Sequence, residues 1–279
     1  MGRSLNDDSL RPNPDQGKST DRSPRQISHQ NREQDSKSIY QSRSQRYRLN
    51  SDQSRMLQDL GAFRTITANS LRKHLYDNDD GRFRKDLRSL REQRLLTVQP
   101  GSRTNGEYVA LTKAGKELTQ SALRSNRDQA VYSGIVKKRE LRHDAAIYDV
   151  YQKEAKKISN AGGTPKRVVL DFELKKQVNR QLVRIQNASP AERERQRHEI
   201  AEAHGLRIVE GKIQFPDVRI EFESRDQELS KVDLECVTGH YKARQIAAKQ
   251  AAGFKLYNQD YRGRSAERGE DLIGEVMSL

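Results

Sequence analysis

Tryptophan is absent from this 279-residue chain, cysteine occurs once, and hydrophobic residues make up only 33%. The lone Cys236 can form no intramolecular disulfide and has no cysteine partner for a zinc site, which points to a reducing compartment. No run of ~18 apolar residues occurs, so no segment reads as a transmembrane helix. The opening stretch MGRSLNDDSLRPNPDQ lacks the apolar middle of a secretory signal. These absences lead to the expectation of a soluble, cytoplasmic protein without a membrane partner. A mean hydropathy of -1.03 is too low for one dense core over the full length, and predicts two small cores with solvated tails.

Charge is what the chain has in excess. Fifty-three Lys and Arg against 39 Asp and Glu give a formal net charge of +14, and the sequence pI is about 9.8. Such a balance favours a polyanionic partner, but alone it does not choose among nucleic acid, an anionic membrane surface and an acidic protein.

Residues 1–50 hold ten basic and six acidic residues among Ser, Gln and Asn. With little apolar surface to offset the ordering entropy, they read as a disordered basic arm. Arg22, Arg25, Arg32, Arg43, Arg46 and Arg48 lie in it, and it serves either as a solubilising tail or as a nonspecific DNA-contacting arm.

Residues 51–125 change character. Met56, Leu57, Leu60 and Phe63 mark one face of a helix, and Thr67 is placed to cap a second helix carrying Leu71 and Leu75. The turn Asn78-Asp79-Asp80-Gly81 leads into a third, with Phe83, Leu87, Leu90 and Leu95 as its buried stripe. Leu96-Thr97-Val98 and Tyr108-Val109-Ala110-Leu111 read as a hairpin around a Gly-bearing turn, and Thr112 caps a further helix. Helix, helix, helix, hairpin, helix is the order of a winged helix-turn-helix.

In that topology the third helix is the recognition helix. It carries Arg82, Arg84, Lys85, Arg88, Arg91 and Arg94 against Asp86 and Glu92, with Arg103 at the tip of the wing. Arg can reach guanine O6 and N7 in a major groove while other basic residues contact phosphates. A bland alternative is a charged, solvated helix face in a domain that mediates dimerisation.

Residues 126–139 read as a polar linker and residues 140–257 as an α/β domain. From Arg139 through Ile158 an amphipathic helix is expected, ended by Gly162-Gly163-Thr164-Pro165 and followed by a strand over Val168 to Leu174. A charged helical stretch from Lys175 to His204 is broken at Ser189-Pro190. Val218, Ile220 and Phe222 alternate with Asp217, Arg219, Glu221 and Glu223, and residues 231–237 alternate likewise, so their acids share one strand face. A helix through Arg244 and Phe254 closes the domain, and residues 258–279 read as a flexible tail.

A hairpin of those two strands would bring Asp217 and Glu235 toward one site, where hard Mg²⁺ or Mn²⁺ prefers oxygen ligands. Pro216-Asp217 followed by Glu235-Cys236-Val237 follows the PD-(D/E)xK nuclease pattern, in which two acids hold metal and a Lys orients water. Val237 stands where that Lys belongs, and Lys242 is placed to substitute for it. Alternating acids on an ordinary solvent-facing sheet are the other reading. His143 and Asp144 open the preceding helix, where a surface or packing role competes with a site role.

Taken together, the winged-helix segment, Glu140-Leu141-Arg142-His143-Asp144, Pro216-Asp217 and Leu234-Glu235 resemble the replication-relaxation family of plasmids and other bacterial mobile elements. The resemblance covers residues 51–257. It implies an α+β protein with an N-terminal winged helix-turn-helix domain, then a small α/β restriction-endonuclease-like domain, with disordered tails. It also implies a double-stranded DNA-binding accessory protein acting in replication or DNA relaxation and mobilisation, alongside relaxase or replication proteins, and compatible with a homodimer. A Mg²⁺-dependent DNA endonuclease and a winged-helix transcription regulator remain the alternatives.

Overall fold

Short polar side chains start the helices of the first half. Asn50 accepts from the Gln53 N–H at 2.7 Å, Thr67 from Ser70 at 3.0 Å, Asp79 from Arg82 at 3.0 Å and Thr112 from Gly115 at 3.1 Å. Each satisfies an N–H that the first helical turn leaves without a partner. The helices so capped are α1 (Ser51–Phe63), α2 (Ala68–Leu75), α3 (Asp80–Glu92) and α4 (Lys113–Leu118). The computed structural model describes residues 36–101, 106–135, 141–239 and 241–258 of this α+β chain.

Ahead of α1, residues expected in the disordered arm form an antiparallel hairpin, β1 (Ser38–Ser42) and β2 (Gln45–Leu49). Its inward-facing Tyr47 and Leu49 are buried in the main core, with Tyr40 packed beside them. Three alternating apolar anchors therefore suffice to order a segment that composition alone assigns to solvent. The remainder of that arm, residues 1–35, lies outside the described residues.

Three short strands follow: β3 (Ile66–Thr67), β4 (Leu96–Pro100) and β5 (Glu107–Leu111), in the antiparallel order β3-β5-β4. A Cβ at Gly115 would sit 2.2 Å from the Leu95 carbonyl oxygen, so this position of α4 admits no side chain. Beyond α4 the chain makes one wider turn, Thr119–Leu123, with the Arg124 N–H reaching back to the Thr119 carbonyl at 2.9 Å.

The segment expected to be a linker is strapped to this unit over its described part. Val131 is buried, the Tyr132 N–H donates to Gly61 O at 2.8 Å and the Gly134 N–H to Leu111 O at 2.8 Å. Residues 136–139 of it lie outside the described residues.

Helix α5 (Leu141–Asn160) joins the two halves. Phe63 of α1 meets Tyr148 edge-on at 5.1 Å and lies 4.8 Å from Tyr151, while the Tyr148 hydroxyl donates to Asp59 at 2.6 Å. One apolar cluster consequently runs from Tyr47 to Cys236, where two small cores were expected.

The second sheet contains β6 (Thr164–Leu170), β9 (Val218–Glu223), β10 (Leu229–Val237) and β11 (Lys255–Asn258), in the order β11-β10-β9-β6. The first three strands in sequence run antiparallel to their neighbours, whereas β11 runs parallel to β10 after the crossover helix α8 (Ala243–Ala251). Residues 255–258 are thus a strand, where a helix running through Phe254 and a tail from residue 258 were expected. Likewise β6 stops at Leu170 rather than Leu174, because Asp171 and Glu173 suit the first turn of α6 (Asp171–Arg184).

An excursion between β6 and β9 holds α6, α7 (Pro190–Ala203), β7 (Ile208–Val209) and β8 (Lys212–Ile213). It closes over its own small cluster of Val178, Ala201 and Leu206. As expected, α7 faces solvent, burying only Ala201.

Candidate nucleic-acid interface and acidic site

Helix α3 follows α2 through the turn at residues 76–79 and buries Phe83, Asp86, Leu87 and Leu90. Arg84, Lys85, Arg88 and Arg91 are exposed on its opposite side. Asp86, which the sequence sets against these basic residues, is turned inward instead. Its carboxylate accepts from Asn50 at 3.1 and 3.2 Å, from Gln53 at 2.9 Å and from the Tyr76 hydroxyl at 3.1 Å. The acid therefore serves as a buried hub joining α1, α2 and α3, and the exposed face is more basic than the helix composition suggests.

Not every expected basic residue is equally available. Arg82 is paired with Asp52, and its guanidinium lies 5.8 Å from the Tyr76 ring centre. Arg84 Nε contacts Asp80 at 2.7 Å, yet its side chain is 73% exposed, so the pair is an open surface one. Arg94 lies just past the helix with φ 57°, in the left-handed turn that ends it. Arg103 lies outside the described residues.

The acidic site forms where the second sheet meets α5 and α8. Asp217, just before β9, accepts the Cys236 N–H at 2.8 Å through Oδ2, and its Oδ1 lies 3.2 Å from His143 Nε2. The hydrogen bond to Asp217 raises the His143 pKa above its ordinary value, outweighing burial. His143 is thereby brought to the sheet from the first turn of α5. A helix-start His carries no local signal that would distinguish this from a surface role.

Glu235, on β10, is only 1% exposed. Its Oε1 receives Lys249 Nζ at 2.8 Å and the Tyr241 hydroxyl at 2.9 Å, while buried Oε2 has no hydrogen-bond partner. Burial, reinforced by the charge of Asp217, raises the Glu235 carboxyl above its ordinary range against the opposing pull of Lys249 and Tyr241. Burial also pushes the Cys236 thiol up.

The ammonium at this site belongs to Lys249, not to Lys242. Lys242 stands exposed at the start of α8, and Lys249 lies two turns further on, where it also donates to Phe215 O at 2.6 Å. A helical period counted from α8's start would have nominated Lys249, had the helix been known to cross back over β10. Asp233 shares a strand face with Glu235 but is engaged elsewhere: Arg219 grips it through Nε at 2.7 Å and Nη2 at 2.8 Å. Among the described residues, no group of three or more His, Cys, Asp or Glu side chains is placed to hold a metal ion. No helix among them is long and apolar enough to cross a membrane.

The chain matches no family model, no curated protein and no solved structure.

Proposed function

We propose that this chain is a double-stranded DNA-binding accessory protein of a plasmid or mobile element, acting in replication or DNA relaxation. The observation that carries the reading is the basic face of α3. Arg84, Lys85, Arg88 and Arg91 are exposed on the second helix of a helix–turn–helix pair, and the only acid within that span, Asp86, is buried. The β4–β5 hairpin after α3 agrees with a winged helix, in which such a face enters the major groove. Basic side chains on phosphates release condensed counterions, so affinity should fall steeply with salt. Fluorescence anisotropy of labelled duplex DNA across a salt series tests this. A Kd that is independent of salt would contradict it.

A second reading, a Mg²⁺- or Mn²⁺-dependent DNA endonuclease, is favoured by one specific observation. A buried carboxylate oxygen, Glu235 Oε2, lacks a partner beside Asp217, with Lys249 at the same carboxylate. Two carboxylates fit a hard cation that retains several waters. Asp217 and Glu235 would hold it, and when bound it would lower the pKa of a water and stabilise charge on the scissile phosphate. Lys249 would fix the orientation of Glu235, and His143 that of Asp217. Element order supports this reading too, since, apart from the α6–β8 excursion between β6 and β9, a helix, three antiparallel strands, a helix and a parallel strand follow one another. Nicking of supercoiled plasmid that requires Mg²⁺ and is lost in Asp217→Ala is the expected result. Absence of nicking with Mg²⁺ or Mn²⁺ at high protein concentration leaves the DNA-binding reading alone.

A further inference from the structure

The β1–β2 hairpin is docked against the end of α3. Gln93, at the helix C-terminus, receives the Arg48 N–H on its Oε1 at 3.3 Å and points Nε2 at the Arg48 carbonyl at 3.5 Å. The same amide group lies 3.3 Å from Ser89 Oγ, one turn back on α3. Gln93 thus caps the free edge of β2 with a side-chain amide and fixes the strand beside the basic helix.

Strand alternation sorts the hairpin's residues. Tyr47 and Leu49 point into the core, so Arg46 and Arg48 project from the opposite, exposed face, across from Gln41 and Ile39. Among the described residues, no ion pair engages Arg46 or Arg48, whereas Arg43 at the turn is paired with Glu117 at 2.7 Å. Ile39 is 65% exposed opposite Arg48, and an extended face with two arginines and little else charged fits a phosphate backbone better than an apolar partner.

We propose that the β1–β2 hairpin is a second DNA-contacting element, in which Arg46 and Arg48 bind phosphates of the duplex flanking the groove occupied by α3. The inference rests on the reading of α3 as the DNA-binding helix and adds to it a sequence-independent clamp. Phosphate contacts of this kind position a protein on the duplex without reading bases. Docking through Gln93 holds the clamp in a set register to the helix, so its arginines meet the backbone without ordering a free arm at binding.

The test uses the full chain and a labelled mixed-sequence duplex of roughly three helical turns. Kd is measured across a salt series for the parent, for Arg46→Ala/Arg48→Ala, for Arg46→Lys/Arg48→Lys, and for Arg84→Ala/Lys85→Ala/Arg88→Ala. Removing two phosphate contacts should lower the slope of log K against log salt by about 2, so affinity lost between 50 and 200 mM salt shrinks roughly tenfold. The lysine pair should restore the parental slope. Both hairpin arginines are exposed, and unchanged circular dichroism confirms the fold of each variant. An alanine pair with the parental slope, while the α3 variant loses binding, overturns the clamp and leaves the α3 reading standing. An α3 variant that binds like the parent overturns the α3 reading itself. An alanine-pair slope change that the lysine pair does not restore also overturns the clamp, because it shows a role other than charge.

Discussion

Lys249 holds its ammonium 2.8 Å from Glu235 Oε1, from a helix that begins six residues after the strand carrying the acid. Glu235 is 1% exposed and the Lys249 side chain 18%, so this pair is shielded from solvent. Removing one partner of such a pair strands a charge in the interior.

Lys249→Met should therefore destabilise the protein by about 3 kcal/mol, read as a lower urea midpoint with unchanged slope. Adding Glu235→Gln should recover much of that loss, since the stranded carboxylate is then gone. Equal stabilities of Lys249→Met and the parent would show that the contact is not formed in solution.

Asp86 gathers three donors in the interior, Asn50 and Gln53 at the start of α1 and Tyr76 just past α2. Asp86→Ala leaves Asn50, Gln53 and Tyr76 without their acceptor and should cost about 3 kcal/mol or more. Because the hub sits behind α3, the same variant should also loosen DNA binding. A surface counter-charge, in contrast, would leave stability nearly untouched and strengthen binding when removed.

Asp59 couples the halves through Tyr148, and burial pushes its carboxyl up to about 6, against the opposing effects of the Tyr148 hydrogen bond, Arg55 and His74. The folded state then binds more protons than the unfolded chain between about pH 4 and pH 6, so this group's contribution to stability falls as pH rises through that window. Asp59→Asn cannot titrate. Relative to the parent it should gain about 2 kcal/mol between pH 4 and pH 7, measured by urea unfolding at each pH. A constant difference across that range would show that Asp59 titrates normally.

His143 has linkage of the same sign, here through a stabilising contact. Its pKa is raised by the hydrogen bond to Asp217, so the pair's stabilisation is fully present below the unfolded value of 6.5 and is lost as pH rises through the folded value. An NMR titration should place the His143 ring above 6.5, and Asp217→Asn should bring it down. A His143 ring that titrates identically in both proteins would separate the two side chains.

Local chemistry was legible where a single residue decides. Thr67 and Thr112 cap their helices, and alternation through Val218, Ile220 and Phe222 marks the β9 face that packs into the core. Pairing of β9 with β10 followed from the same period of two. What stayed hidden depends on distant partners. The hairpin at 38–49 is ordered by Tyr40, Tyr47 and Leu49 against a core built later in the chain, and its polar residues mask that signal. The Val168–Leu174 run reads as one strand until Asp171 is seen to start a helix. At the acidic site, Asp217 and Glu235 carry a motif, whereas His143 and Lys249 reach it from helices whose crossing over the sheet no local spacing encodes.

The central claim is that the exposed face of α3 holds duplex DNA. Neutralising Arg84, Lys85 and Arg88 together, with the fold verified by circular dichroism, tests it most directly through the Kd for labelled duplex at fixed salt. All three side chains are exposed, so the fold should persist. Loss of three phosphate or base contacts should weaken binding by a factor on the order of 100 or more. A folded triple variant with the parental Kd would contradict the account.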